Sequence, residues 1–243
     1  MRSAAWVALV LLAFAPARAE PGPVVVELFT SQSCYSCPPA EAFLGQLAKQ
    51  PGIVALEWHV SYWNELVYGK AGRWADPFSS PVYTERQRAY SRELRNSGNV
   101  YTPQMVVGGR YETVGSDRSE VEKRIARNRK HASPVVAEIV PDGSAPGLSA
   151  RIEGRPTDAT IWLVTYMERR TTEVRGGENQ GKTLNNHHIV TGLTSLGQHD
   201  SQVVSHAFAA PKPGEGCAIL IQENGVGAIL GAATCPTPDA ARR

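Results

Sequence analysis

Residues 24–39 read Val24-Val25-Val26-Glu27-Leu28-Phe29-Thr30-Ser31-Gln32-Ser33-Cys34-Tyr35-Ser36-Cys37-Pro38-Pro39, and the way that stretch is read decides the fold. Its first six residues form a β-branched and apolar run of the length of a buried strand. A polar turn follows, Thr30-Ser31-Gln32-Ser33, then two cysteines spaced C-x-x-C, then a proline pair. Proline suits a first helical turn, whose N–H groups have no intrahelical partner. Beyond it Ala40, Phe43, Leu44 and Leu47 recur at i, i+3, i+4 and i+7, the spacing of one helical face, and Pro51-Gly52 stops the helix. The cysteine pair therefore lies at a strand-to-helix junction. A helix N-terminus carries about half a positive charge, which favours thiolate over thiol. A lowered thiol pKa gives both a better nucleophile near neutral pH and a better leaving group. Cys34, expected to be exposed ahead of the helix, is read as the nucleophile and Cys37, one turn inside, as the resolving thiol. Tyr35 and Ser36 between them are expected to meet the substrate.

Outward from this junction, residues 53–60 read as a second strand, and residues 61–98 are rich in aromatic side chains. The second half of that segment reads as a helix capped by Ser80, begun by Pro81 and ended by Gly98. A third strand at 104–107 is entered through Tyr101-Thr102-Pro103, turns at Gly108-Gly109 and returns over 110–114. Asp117 and Glu120 form a capping-box pattern ahead of a helix whose Val121 and Ile125 face inward. The order is βα, βα, ββα. After His131 only short β-type runs remain, at 135–140, 148–153, 160–167, 203–208, 218–222 and 228–232. Such runs between Gly, Pro and Asn clusters predict an all-β sandwich-like domain. The expected division is 20–132, an α/β domain with an aromatic-rich helical insertion, and 133–243.

Residues 1–19 read as an export signal: Arg2, an apolar run over 4–15, and Ala17-Arg18-Ala19 as a small-x-small cleavage site after Ala19. The run is shorter than the roughly 20 apolar residues that span a bilayer. The expected product is a periplasmic or secreted protein with no membrane span. The 243 residues carry 25 Lys and Arg against 23 Asp and Glu, and loss of Arg2 and Arg18 leaves the two signs equal. That balance excludes the basic footprint of nucleic-acid binding. Disulfides persist in an exported setting, and the four cysteines fall into two local pairs. Cys217 and Cys235 flank two β-type runs around Asn224-Gly225. They read as a structural disulfide, a staple contributing about 3 kcal/mol in the chain-entropy model.

The order of elements with C-x-x-C at the first strand-to-helix junction resembles the thioredoxin fold, in which a cis-proline lies beside the cysteines ahead of the third strand. Thr102-Pro103-Gln104-Met105-Val106-Val107-Gly108-Gly109 matches that element in residue type and place. The resemblance implies that Pro103 is cis and that the Thr102 backbone receives the substrate chain as an added strand. More closely, residues 27–39, 59–63, 76–81 and 101–104 look like the domain-of-unknown-function-1223 family of exported bacterial proteins. Segments 178–184 and 229–233 are similar to its β-rich part. The dipeptide Tyr35-Ser36 supplies no cation beside Cys34, so the direction of electron flow stays open. Glu27 is the nearest sequence candidate for the buried acid of thioredoxins, with a surface strand position as the other reading. His59 ends a strand and either approaches the cysteines or faces away.

Two functions are consistent with these residues. One is an exported thiol–disulfide oxidoreductase-like protein acting on protein or small-molecule thiols, with thiols or disulfides of the cell envelope as partners and no cofactor beyond the Cys34–Cys37 pair. The other is a non-catalytic binding module in which the pair is a structural disulfide or holds copper or zinc. Thiolates do favour Cu(I) and Zn, but zinc needs two further ligands and His59 alone is too few. His187-His188 would point to opposite faces of a strand, and so make no site together.

Overall fold

The apolar run of the N-terminal segment forms strand β1 (Val24–Thr30), buried along its whole length. The computed structural model describes residues 22–236 except 132, 145 and 146, so the expected export signal lies outside the described residues. Helix α1 (Pro38–Leu47) follows the cysteines, with proline in its first turn as expected. Strand β2 (Ile53–His59) pairs parallel with β1, from Val24 opposite Ile53 to Thr30 opposite His59. Strand β3 (Gln104–Val107) pairs antiparallel on the other side, from Val26 opposite Val107 to Phe29 opposite Gln104, and turns into β4 (Tyr111–Val114). Neighbours on both edges and layers on both faces account for an almost continuously apolar strand.

Alternation along β1 divides the core in two. Val24, Val26 and Leu28 pack with Ala40, Phe43, Leu44 and Leu47 of α1 and with Val121 and Ile125 of α3 (Arg118–Asn128). Val25 and Phe29 face the opposite layer, which holds Trp58 and the Tyr83 and Tyr90 side chains of α2 (Pro81–Arg95). The Ser80 side chain accepts from the Val82 N–H at 3.2 Å, and Asp117 accepts from the Glu120 N–H at 3.1 Å, the two caps read from the sequence. The α2 stop is Asn96, left-handed at φ 51°, rather than Gly98.

The remaining strands are β5 (Val135–Pro141), β6 (Gly147–Gly154), β7 (Ala159–Glu173), β8 (Thr183–Gln198), β9 (Val203–Ala209), β10 (Glu215–Glu223) and β11 (Ile229–Thr234). They do not close into a separate sandwich. Four of them extend the first sheet, whose order is β11-β10-β7-β8-β2-β1-β3-β4, and the join is a parallel contact of Glu57 with Ile189. The reason lies in strands that are apolar on both faces. Val164, Tyr166, Ala218 and Leu220 enter the same core as Tyr83 and Tyr90, while Ile161, Ile219 and Ile221 enter another. That second face is covered by the antiparallel sheet β5-β6-β9, through Val135, Ala150 and Ile152. A two-layered β packing does form, but one layer is the far end of the shared sheet. Cys217 and Cys235 are joined in a disulfide across β10 and the end of β11, with Cα atoms 5.2 Å apart.

Candidate functional site

The loop leaving β1 is wound tightly. The Cys34 N–H donates to the Ser31 carbonyl at 3.0 Å and the Cys37 N–H to the Cys34 carbonyl at 3.2 Å, which brings Cys37 to the residue that opens α1. Cys34 and Cys37 are joined in a disulfide, Cα atoms 5.4 Å apart, and the Ser36 hydroxyl lies 3.4 Å from the Cys34 sulfur. The expected exposure of Cys34 is not found: both cysteines are 0% exposed, whereas Tyr35 is 66% exposed. Residues 174–182, between β7 and β8, pack against the loop. Asn179, itself buried, donates its amide to the Gln32 carbonyl at 2.9 Å and to the Cys34 carbonyl at 2.8 Å. The Glu178 carboxylate accepts the Tyr35 N–H at 2.8 Å, and the Glu178 N–H donates to the Ser33 carbonyl at 3.3 Å. Lys182 donates to Asn179 Oδ1 at 2.8 Å and lies 4.2 Å over the Tyr35 ring. Gly177, at φ 69°, passes so close to Ser33 that a Cβ would stand 2.8 Å from its hydroxyl; a left-handed residue in that space has to be glycine.

The Thr102–Pro103 peptide bond is cis. Because Gln104 lies opposite Phe29, Pro103 falls at the end of the sheet from which the cysteine loop departs. Pro103 is buried and Thr102 half-buried. The Thr102 hydroxyl accepts from the Trp63 indole at 2.9 Å. Tyr83 and Tyr90 of the aromatic segment belong to the core, packed with Trp58 of β2.

Beneath the loop, on the α1 side of the sheet, lies a buried polar cluster. The alternation that sends Ile53 and Ala55 of β2 into the α1 layer sends Glu57 and His59 there too. His59 Nδ1 is 2.7 Å from Asp76 and Nε2 is 3.1 Å from Glu57, with all three side chains fully buried. Asp76 also accepts the Gln32 N–H at 2.8 Å and the Phe78 N–H at 3.0 Å. Asn186 of β8 donates to Glu57 at 2.6 Å and accepts from the Gln32 amide at 3.2 Å. Burial works against charge on His59, but Asp76 and Glu57 outweigh it and hold the imidazole well above its ordinary 6.5. Burial likewise opposes ionisation of Asp76, yet His59 and the Gln32 and Phe78 N–H groups keep it below the usual carboxylate value. Glu41 of α1 is pushed up to about 8 by burial and by the neighbouring Glu57 charge, while the Thr30 hydroxyl donates to it at 2.6 Å.

His59 thus meets the cysteine loop only indirectly, through Asp76 and the Gln32 N–H, and both its ring nitrogens are engaged. Among the described residues, no group of three or more His, Cys, Asp and Glu side chains is arranged to hold a metal ion. His188 stacks on Tyr166 at 4.6 Å and His187 packs against Gly45, in separate surroundings. Glu27 is neither at the surface nor beneath the cysteines. As an odd-numbered residue of β1 it faces α2, where it accepts from Arg86 at 2.7 Å and from the Tyr90 hydroxyl at 2.5 Å. The buried acids on the cysteine side are instead Glu57 and Asp76, beside His59, and Glu41, at the edge of the apolar stripe of α1. Asp76, Glu178 and Asn179 also join the site. Nothing local in their own segments marks them, although residues 76–81 and 178–184 are among those carrying the family resemblance.

The sequence matches the family model described as a protein of unknown function (DUF1223) over residues 25–222. The structure is similar to the X-ray crystal structure of protein AGR_C_4864 from Agrobacterium tumefaciens, with a TM-score of 0.73 at 28% identity over 88% of this chain and 94% of that one. It shares its fold with HBP35 of Porphyromonas gingivalis, at a TM-score of 0.59 and 12% identity over 88% of this chain and 75% of that one. No curated protein matches. With the family model spanning most of its length, the chain belongs to the DUF1223 family of proteins of unknown function.

Proposed function

We propose that the protein is an exported thiol–disulfide oxidoreductase-like protein with a thioredoxin-like N-terminal part, acting on protein or small-molecule thiols of the cell envelope. The observation that carries this reading is the Cys34–Cys37 disulfide at the start of α1, with the cis Thr102–Pro103 bond at the same end of the sheet. In the reducing direction the Cys34 thiolate bonds to one sulfur of a substrate disulfide and the other substrate sulfur leaves as a thiolate. The Cys37 thiolate then attacks Cys34, releasing the second substrate thiol and closing the Cys34–Cys37 bond. Substrate gains two electrons, and the reverse sequence oxidises it. Tyr35, the exposed residue of the motif, and the Thr102 backbone would contact the incoming chain. A Cys37→Ser variant should accumulate mixed disulfides through Cys34, and a Cys34→Ser variant should accumulate none. Equal trapping by both, or by neither, would remove the assigned roles.

One observation favours the alternative, a binding module with a structural disulfide: both cysteines are fully buried. A reduction potential below about −300 mV with no thiol exchange would select that reading.

A further inference from the structure

Two charges from the segment between β7 and β8 flank the cysteine loop on its outer side. Glu178 holds the Tyr35 N–H at 2.8 Å, and the Lys182 ammonium stands 4.2 Å from the Tyr35 ring centroid. Both side chains are exposed, unlike the cysteines. Their position is fixed by Asn179, buried and bonded to the Gln32 and Cys34 carbonyls and to Lys182 itself. Two further exposed charges stand near this segment, Arg175 within it and Arg73, which lies against Gly176 and pairs with Glu65. Other charged groups lie beneath the loop. His59 is paired with Asp76 and Glu57, and Glu41 is bonded to Thr30. The N-terminus of α1 has no side-chain cap. Glu178 and Lys182 are solvent-side charges that touch Tyr35, the residue next to Cys34. They act in opposite senses, since a carboxylate disfavours a nearby thiolate and an ammonium favours it. Glu178 also occupies the Tyr35 N–H, a donor next to Cys34 that an anionic sulfur would otherwise draw on.

We infer that Glu178 and Lys182 set how readily the Cys34–Cys37 pair accepts electrons, the carboxylate favouring the disulfide and the ammonium the reduced pair. The inference rests on the redox reading of this pair. The equilibrium concerned is reduction by two glutathione molecules. The first forms a bond to Cys34 while Cys37 leaves with the electron pair and takes a proton. The second attacks the glutathione sulfur of the mixed disulfide, so that glutathione disulfide departs and Cys34 is left as a thiolate or thiol. Stabilising that thiolate draws the equilibrium toward the reduced pair.

The test measures, on the purified protein, the equilibrium constant with glutathione at about pH 8.5 and the pH at which thiolate absorbance appears in the reduced form. Glu178→Gln should move the equilibrium about two- to fivefold toward the reduced pair, and Lys182→Gln by a similar factor toward the disulfide. Thiolate absorbance should appear at lower pH in the first variant and at higher pH in the second. Glu178→Asp should stay near wild type, and both shifts should shrink in high salt. Unchanged equilibria, shifts of one sign, or an aspartate variant that moves as far as the glutamine one would overturn the inference while leaving the redox reading standing. If Glu178→Gln does not fold, the direction of the Lys182→Gln shift decides. A wild-type pair that exchanges with neither glutathione nor dithiothreitol would remove the redox reading, and this inference with it.

Discussion

The His59 cluster makes stability depend on pH in a defined direction. Glu41 keeps its proton to about pH 8 in the folded chain, against an ordinary value of 4.5. The folded state therefore binds more protons between those limits, and stability falls as pH rises through them. His59, raised well above 6.5, adds the same sign: its contribution is complete below 6.5 and is lost as pH climbs through the raised value. Asp76 acts at the acid end, where its contribution is lost as pH falls through its lowered value. The thermal midpoint should drop between about pH 5 and 9, and Glu41→Gln should remove much of that drop; a flat or rising midpoint would contradict the assignment. On the opposite face, Arg86→Met would strand the fully buried Glu27 carboxylate. The expected cost is about 3–5 kcal/mol in urea denaturation, with part of it recovered when Glu27→Gln is added; a single variant as stable as wild type would refute this. The polarity of Glu27 and His59 was legible in the sequence, but their partners were not. Asp76 sits in an irregular segment and Arg86 on a helix 59 residues away, so no local spacing connects them.

Elements governed by short-range chemistry are legible in the sequence. β1, α1 and the β3–β4 hairpin follow from a valine run, a proline pair and Gly108-Gly109. β8 is not legible there, because Asn185, Asn186, His187 and His188 give it no apolar alternation. Each of these finds a partner in the fold: Asn186 bonds the buried Glu57, His188 the Ala55 carbonyl and Asn185 the Thr171 hydroxyl; His187 packs against Gly45. The hairpin glycines also do more than turn. Gly109, at φ 65°, runs against the Gly227 carbonyl with no room for a Cβ, and Gly108 accepts the Ile229 N–H at 2.9 Å. Gly109→Ala should therefore lower the thermal midpoint by more than Gly225→Ala, a substitution at similar φ with open space around it. Equal effects would show that backbone conformation alone matters. Removing the β10–β11 staple with Cys217→Ala and Cys235→Ala should cost about 3 kcal/mol, read from the denaturant midpoint; a midpoint that does not move would deny the disulfide a structural role.

Across the whole molecule, the change from α/β to β-only sequence near residue 133 was legible, yet the sheet runs through it because β7 and β10 are apolar on both faces. Arg86 of α2 bonds Gln222 of β10 at 3.0 Å, and Asn179 bonds Cys34, so the two stretches share buried polar contacts as well as strands. Calorimetry should give one transition with matching calorimetric and van't Hoff enthalpies; two resolved transitions would show the stretches to be independent. The Asn179 contact has a consequence in time as well as in space. Tyr35 and Glu178 are 143 residues apart, and a ribosome adding about 5–20 residues per second needs about 7 to 30 s to make the difference. The cysteines thus emerge well before the segment that will pack against their loop. Whatever meets them in that interval meets an open loop, because the segment that packs on it belongs to the later part of the chain.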